Sequence, residues 1–401
     1  MSKKINDMIK LNHLYKYIGK KINFFIFIPL YISSFNILSN FFEKKILGSF
    51  SIFGDFLIYR CAGINYLNKE SPYGVNKLQE CLNSYPNSLD FFYPPITLSF
   101  FKFFSYFEIN QAIFLWGLIV FSSLFLIVYY SYKFFGKNIS FFIFLLIFLF
   151  SFGGINWTGI ITGNISILIY GLISLGIFFI FEKKNNYFYI LISLISLIKP
   201  TYFIFILLPI LISETSRIKE LKKIFLFFII VLFIYLLSYL NNPDLFNQFI
   251  NSLVYARSSE FISIFGQGLG LSSIIDFFIN SFLKNFQLDI NYSLTKNIIW
   301  LVIISLFISY FLMVQYRKKE ILNNKLALSL CLITLCYPIL KHYECYLVVP
   351  CLFFLISNFK TKFKYILLLT MFSVHDKYSL FLILIIAFTY EIYLSNKKIS
   401  I

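Results

Sequence analysis

The stretch from Gln111 to Tyr132 reads QAIFLWGLIVFSSLFLIVYYSY and contains no charged side chain. Uncharged apolar runs of similar length occupy residues 160–181 and 297–316. An α-helix needs about 20 apolar residues to cross a bilayer, and each of these runs is long enough. Over the whole chain 59% of the residues are hydrophobic and 13% are charged, whereas a soluble domain is about 25% charged. The sequence therefore predicts an all-α membrane protein that crosses the bilayer many times.

The other apolar runs, read between clusters of charge, predict a single polytopic domain. We expect a bundle of about 12 transmembrane helices with a structured first extracytoplasmic loop. The predicted crossings are 22–41, 111–132, 139–155, 160–181, 187–198, 201–213, 224–240, 297–316, 325–340, 345–359, 363–374 and 378–394. The shorter run 94–107 is predicted to dip into the membrane and return. Residues 1–21 place apolar side chains among lysines, which is typical of a cytoplasmic amphipathic helix.

The formal net charge of +17 indicates how the chain is oriented. Lys and Arg concentrate on the cytoplasmic side of membrane proteins. With both termini inside, the cytoplasmic segments carry the whole +17 and the opposite side is neutral. We therefore predict a multi-pass protein of the plasma or inner membrane, and we expect no nucleic-acid partner. The long polar segments 42–93 and 241–296 then lie outside, where the chemistry is expected.

The six cysteines and the absence of familiar motifs restrict the chemistry further. Cys61 and Cys81 share the first loop, which leaves a disulfide between them open. The four cysteines from position 331 onward lie in apolar runs and are predicted to be small core residues. No His or Cys spacing fits a metal site, and no glycine-rich phosphate loop is present. We expect neither a bound metal nor a soluble nucleotide cofactor.

The first loop carries a polar pattern with two interpretations. If residues 55–68 are helical, Asp55, Tyr59, Ala62 and Tyr66 lie on one face of that helix. Asp55 falls in the first turn, where the helix dipole favours the ionised carboxylate. Asp is also a frequent helix cap. The spacing alone leaves a functional carboxylate and a plain cap both open.

Two proline motifs predict where helices begin or break. In Tyr93-Pro94-Pro95 the prolines favour an extended Tyr93 and the start of a helix after it. Lys199-Pro200 interrupts the apolar stretch 187–213, so we predict two short helices that meet at this break. An ionisable side chain inside a membrane domain is a candidate functional residue. The alternative is that Lys199 snorkels to the membrane interface.

Further polar residues are expected on the outer side. A short turn between two spans is predicted to contain Asn156-Trp157 and Thr162-Gly163-Asn164. Lys341-His342-Tyr343-Glu344 sets a cation, an imidazole and a carboxylate beside a helix end. In the second loop, Arg257 and Glu260 also fit a simple i, i+3 ion pair.

Taken in order, these features resemble glycosyltransferase family 87, which belongs to the GT-C superfamily and includes polyprenol-dependent mannosyltransferases. The family's first-loop elements Asp-Phe-x-x-Tyr, Pro-Tyr and Tyr-Pro-Pro correspond to Asp55-Phe56 with Tyr59, Pro72-Tyr73 and Tyr93-Pro94-Pro95. Its later elements correspond to Gly163-Asn164, Lys199-Pro200, Gly266-Gln267-Gly268-Leu269, and Pro338 with Tyr343 and Glu344. The chain departs from the family at Ile165, where the family has Gln, and at Gly266 and Gly268, where it has Asn and Ser.

The resemblance implies an inverting hexosyltransferase that moves a sugar such as mannose from a polyprenyl-phosphate donor to a hydroxyl of a glycan or glycolipid acceptor. The transfer would occur at the extracytoplasmic face, and the donor is a substrate rather than a cofactor. Asp55 would be the general base. The implied phosphate-binding residues are Lys199, Arg257 and His342. The implied sugar- or acceptor-binding residues are Tyr59, Tyr73, Tyr93, Asn164, Gln267, Tyr343 and Glu344.

Two other classes of membrane protein are compatible with parts of the pattern. A transporter or flippase for a lipid-linked sugar shares the helices and the lysine, but it does not need a loop carboxylate backed by tyrosines. An O-antigen polymerase or ligase is expected to carry several arginines in a large late outer loop. The segment 241–296 contains a single arginine, Arg257.

Overall fold

The structure is a computed structural model that describes part of the chain. The described residues are 26–43, 52–74, 77–82, 90–136, 139–212, 217–256, 292–317, 322–337, 341, 344–359, 362–373 and 377–397. Regular structure within these ranges is helical throughout and includes no β-strand. The all-α prediction is confirmed for this part of the chain.

The first eight described helices are α1 (26–43), α2 (Gly54–Leu67), α3 (Gln79–Leu82), α4 (Ile96–Ser105), α5 (Ile109–Ser131), α6 (Phe141–Thr162), α7 (Ser166–Phe181) and α8 (Asn185–Ile198). The later ones are α9 (Leu208–Ile212), α10 (Arg217–Asn241), α11 (Pro243–Tyr255), α12 (Tyr292–Arg317), α13 (Leu322–Cys336), α14 (Val348–Ser357), α15 (Phe363–Ser373) and α16 (Lys377–Lys397). A π-helical turn, Tyr132–Gly136, extends α5, and a 3-10 helix, Pro200–Leu207, leads into α9.

Three helices of the described chain are long and apolar enough to cross a membrane: Ile109–Gly136, Phe141–Thr162 and Arg217–Asn241. Shorter apolar helices of 10–17 residues include α4, α7, α8, α13, α14 and α15, and a helix of that length is about 15–26 Å long against a hydrocarbon core of about 30 Å. The membrane class is confirmed at this level. The count of about 12 crossings and the orientation stay predictions.

The helix α5 shows how an apolar span divides its surface between lipid and protein. Its exposed side chains follow a helical stripe: Phe114, Leu118, Phe121, Phe125 and Tyr129. The opposite stripe is buried: Ala112, Trp116, Val120, Ser123 and Ile127. Small residues let α5 and α7 approach closely, because a Cβ on Gly171 would lie 2.9 Å from the Cβ of Ser123.

The structure corrects the predicted end of the span at 139–155. The helix α6 continues to Thr162 across a break at Ser151–Gly154, where the backbone of Phe152 and of both glycines is left-handed. Asn156 donates across the break to the Phe148 carbonyl at 2.8 Å and satisfies a buried acceptor. Asn156 and Trp157 are therefore in a helix and not in the turn between α6 and α7, which is confined to residues 163–165.

The predicted break at Lys199-Pro200 is confirmed. The helix α8 ends at Ile198, Lys199 is extended, and Pro200 opens the 3-10 helix. Because Pro200 has no N–H, it cannot bond the Ser196 carbonyl one turn earlier. Tyr235 of α10 donates to that carbonyl instead, at 2.8 Å. A third helix thus satisfies the acceptor that the proline frees.

The first loop folds around α2 and a disulfide. Cys61 on α2 pairs with Cys81 on α3, so the open question of their pairing is settled. The helix α2 packs against α4, the short helix predicted at 94–107. Their contact is tight at Gly63, where a Cβ would lie 2.6 Å from the Phe101 carbonyl oxygen. The remaining four cysteines are buried, as predicted.

Candidate active site

The turn between α6 and α7 anchors the start of α2. The Phe53 N–H donates to the Ile161 carbonyl at 2.8 Å, and the Trp116 indole donates to the Gly163 carbonyl at 2.8 Å. Gly163 is left-handed with φ 66, and a Cβ there would lie 2.7 Å from the Phe53 ring. Glycine is required at this position for both reasons. These contacts bring the first turn of α2 against residues 162–165.

Asp55 points its carboxylate at that turn. Asn164 donates from Nδ2 to Asp55 Oδ2 at 2.7 Å. The other end of the amide is committed, because Asn164 Oδ1 accepts the Ser166 N–H at 2.9 Å, so the NH₂ group must face the carboxylate. The N-cap of α2 is Phe53, without a side-chain cap. The interpretation of Asp55 as the cap of its helix is therefore wrong.

The environment of Asp55 adjusts its acidity in two directions. Burial raises the pKa of the Asp55 carboxyl, while hydrogen bonds from Asn164 and Thr162 and the positive charge of Lys199 oppose that rise. Burial is the largest of these effects and the pKa stays above its ordinary value. Asp55 is consequently a stronger base than a carboxylate in water, with three groups that favour its ionised form.

The three tyrosines predicted for the site come together around Tyr93. The hydroxyls of Tyr59 and Tyr93 are 3.2 Å apart, and the Tyr73 hydroxyl donates to the Tyr93 carbonyl at 2.7 Å. The Tyr59 hydroxyl also accepts the Ile165 N–H at 3.3 Å. Tyr59 therefore accepts one hydrogen bond from the backbone and shares a second with Tyr93. The tyrosines form a connected layer between the first loop and the α6–α7 turn.

Lys199 and Glu344, which lie far apart in the sequence, form an ion pair. The Glu344 side chain is 0% exposed and that of Lys199 is 25% exposed. Glu344 Oε1 contacts the Lys199 ammonium, and Oε2 accepts the Lys341 N–H at 3.0 Å. The ammonium also lies 5.3 Å from the centre of the Tyr202 ring.

The Asp55 group and the Lys199–Glu344 pair lie within electrostatic range of each other. The charge of Lys199 acts on Asp55. Burial raises the pKa of Tyr93, and the negative charges of both Asp55 and Glu344 raise it further. Tyr93 is therefore close enough to both carboxylates to respond to each of them.

Sequence reasoning missed a group of buried tyrosines around the ion pair. The ring centres of Tyr202 and Tyr337 are 5.5 Å apart, as are those of Tyr170 and Tyr202 and of Tyr170 and Tyr346. Thr201 Oγ1 lies 2.5 Å from the Tyr337 hydroxyl. With 29 tyrosines in the chain, none of these stood out by type. Proximity to the Lys-Pro break and to Glu344 was the available signal for Tyr202 and Tyr346.

Four predicted site residues lie outside the described residues: Arg257, Gln267, His342 and Tyr343. The described start of the second loop does reach the site, since Phe249 of α11 packs on Tyr73 with ring centres 6.0 Å apart. Gln248 of the same helix accepts from the Ser71 hydroxyl. Within the described chain, no three His, Cys, Asp or Glu side chains group as potential metal ligands.

Comparison with known proteins identifies the family. The family model described as "Glycosyltransferase family 87" matches residues 91–338, more than half of the chain. No curated protein and no solved structure matches the chain. The matched region contains Tyr93, Asn164 and Lys199, and Asp55 and Glu344 bond directly to two of these three residues. The chain therefore belongs to glycosyltransferase family 87, and it is a membrane glycosyltransferase.

Proposed function

We propose that this enzyme transfers a hexose such as mannose from a polyprenyl-phosphate donor to an acceptor hydroxyl at the extracytoplasmic face, with inversion. The supporting observation is the setting of Asp55. Asp55 is half-buried, and its carboxylate accepts a hydrogen bond from Asn164 at 2.7 Å. The positive charge of Lys199 favours the ionised form of this carboxylate. A base and a cation in one site of low dielectric are what such a displacement uses.

The proposed reaction is a single displacement at the anomeric carbon. Asp55 takes the proton of the acceptor hydroxyl while the acceptor oxygen forms a bond to the anomeric carbon. The bond from that carbon to the phosphate oxygen breaks, and its electron pair leaves with the polyprenyl phosphate. The leaving phosphate gains one negative charge, which Lys199 stabilises. Attack from the side opposite the leaving group inverts the anomeric configuration.

The other residues are assigned by their surroundings and by the resemblance. Tyr59, Tyr73 and Tyr93 line the sugar site together with Asn164, and the layer they form lies next to the base. The further proposed contacts lie outside the described residues: Arg257 and His342 for the phosphate, and Gln267 and Tyr343 for the sugar or acceptor. The isoprenoid tail of the donor occupies the apolar space between helices.

The direct test uses purified protein in lipid vesicles with labelled polyprenyl-phosphate sugars. We expect label from the mannosyl or a related hexosyl donor to appear in a glycan or glycolipid acceptor. Protein carrying Asp55→Asn provides the negative control. Movement of intact donor across the vesicle membrane, with no transferred label, would instead support the flippase alternative.

The orientation can be tested with cysteines at exposed positions of the two faces. We expect Glu70→Cys to react with a membrane-impermeant thiol reagent in intact cells, because the first loop is predicted to be outside. Lys219→Cys should react only after permeabilisation. Both native residues are exposed, and the native cysteines are either paired or buried. Labelling of Lys219→Cys alone in intact cells would reverse the proposed topology.

Gly163 is predicted to affect the position of Asp55, because it packs against Phe53 at the start of α2. Gly163→Ala puts a Cβ into the Phe53 ring at a left-handed position, at a cost of about 1–3 kcal/mol in stability. We expect the transfer rate to fall about 10-fold or more, because a small displacement of a catalytic group is costly. The matched control is Gly154→Ala, which has a similar φ of +75 but contacts Ile37. Equal activity of the two variants would mean that Phe53 does not place Asp55.

A further inference from the structure

The buried Glu344 carboxylate contacts the Lys199 ammonium. Both of its carboxylate oxygens are engaged, one by the Lys199 ammonium and one by the Lys341 N–H. The side chain is 0% exposed. Because the side chain is fully buried, it presents no oxygen to a sugar that enters from outside. Lys199, by contrast, keeps a quarter of its side-chain surface exposed.

The pair is better explained by function than by stability. A buried ion pair contributes little net stability, because desolvation of two charges offsets their attraction. A lysine side chain is long and flexible, so neighbouring groups must fix the orientation of its ammonium. Here the buried Glu344 carboxylate pairs with the Lys199 ammonium. The centre of the Tyr202 ring lies 5.3 Å from that ammonium. One of the three ammonium donors goes to Glu344 in the described structure, and the charge still acts on Asp55.

We propose that Glu344 is a positioning residue that holds the Lys199 ammonium toward the donor phosphate and Asp55, and that it does not itself bind the sugar. This inference rests on the proposed function of Lys199. It replaces the sugar- or acceptor-binding role that the resemblance implies for Glu344. The ligand class concerned is the phosphodiester of the donor, whose charge increases as the sugar leaves.

The test is a double-mutant cycle of Glu344→Gln, Lys199→Met and the two combined, with binding of labelled polyprenyl-phosphate mannose as the measurement. Glu344→Gln should weaken donor binding about 10-fold, the fold-change expected when one charge-assisted hydrogen bond is misplaced. In the Lys199→Met background the same change should have no further effect on binding, because Glu344 acts through the lysine. An equal weakening in both backgrounds would mean that Glu344 contacts the donor directly.

A second measurement excludes a role in folding alone. If Lys199 shifts in Glu344→Gln, its opposition to the raised pKa of Asp55 weakens, and the acid limb of kcat/KM moves to higher pH. A change in thermal stability with an unmoved limb and wild-type donor affinity would overturn the proposal. Glu220→Gln is the matched control, since Glu220 is buried, bonded to Tyr189 at 2.6 Å and paired with Lys223 at 3.5 Å. It should leave donor binding unchanged. Wild-type protein that binds donor but transfers no label would contradict the proposed transfer. The double-mutant cycle measures donor binding alone, so it would still show whether Glu344 acts through Lys199.

Discussion

Asp55→Asn is expected to fold, insert and bind the lipid-linked donor, but to lose about 10²-fold or more in transfer rate. The amide is nearly isosteric with the carboxylate and cannot accept the proton of the acceptor hydroxyl. Its oxygen can still accept the hydrogen bond from Asn164, so the contact that orients residue 55 persists. The measurement is kcat with saturating labelled donor, compared with donor affinity of the same preparation.

A second aspartate provides the matched control for this variant. Asp244 lies in the first turn of α11, as Asp55 lies in the first turn of α2. Unlike the half-buried Asp55, Asp244 is exposed. Asp244→Asn should therefore retain the wild-type rate. A fully active Asp55→Asn enzyme would remove the general base from the mechanism and favour transport of the lipid-linked sugar.

The pH dependence of the wild-type enzyme follows from the same carboxyl. Activity requires the ionised form, so kcat/KM should fall as the pH drops through the pKa of Asp55 in the free enzyme. Burial raises that pKa above the ordinary value of 3.8. The midpoint of the acid limb is therefore expected above 3.8.

Lys199→Ala has the second largest expected effect. It removes the cation that faces the leaving phosphate and leaves Glu344 as an uncompensated buried charge. We expect donor binding to weaken about 10-fold or more, and the acid limb to move to higher pH because a charge that lowers the pKa of Asp55 is gone. Lys199→Arg should restore part of the binding, since it keeps the charge but changes its geometry.

The control for Lys199 is another lysine of an ion pair with a buried glutamate. Lys223→Ala breaks the pair with Glu220 at 3.5 Å and should leave donor binding unchanged. Donor affinity and expression are measured together in both variants. Wild-type donor affinity in well-expressed Lys199→Ala protein would reduce Lys199 to a residue that snorkels to the interface.

Local rules were sufficient for the class of protein and for several elements of the site. Apolar length predicts membrane helices because the bilayer admits backbone only as helices or closed barrels. The Lys199-Pro200 break was predictable because a proline acts on the residue before it and on the N–H it lacks. The i, i+4 spacing placed Asp55 and Tyr59 on one face of α2. Each of these rests on neighbours within a few residues.

Tertiary structure decided the contacts that give these residues a role. The Asn164 bond to Asp55, the Cys61–Cys81 disulfide and the Lys199–Glu344 pair depend on which helices pack together, and short-range sequence rules carry no information about that packing. The continuation of α6 past Gly153-Gly154 was missed because glycines permit both a turn and a break within a helix. By itself the sequence determined an all-α membrane protein, and it indicated a carboxylate in the first loop and a lysine at a helix break as candidate site residues. Packing of distant helices brought them together, because a buried charge needs a partner and here a distant segment supplies it.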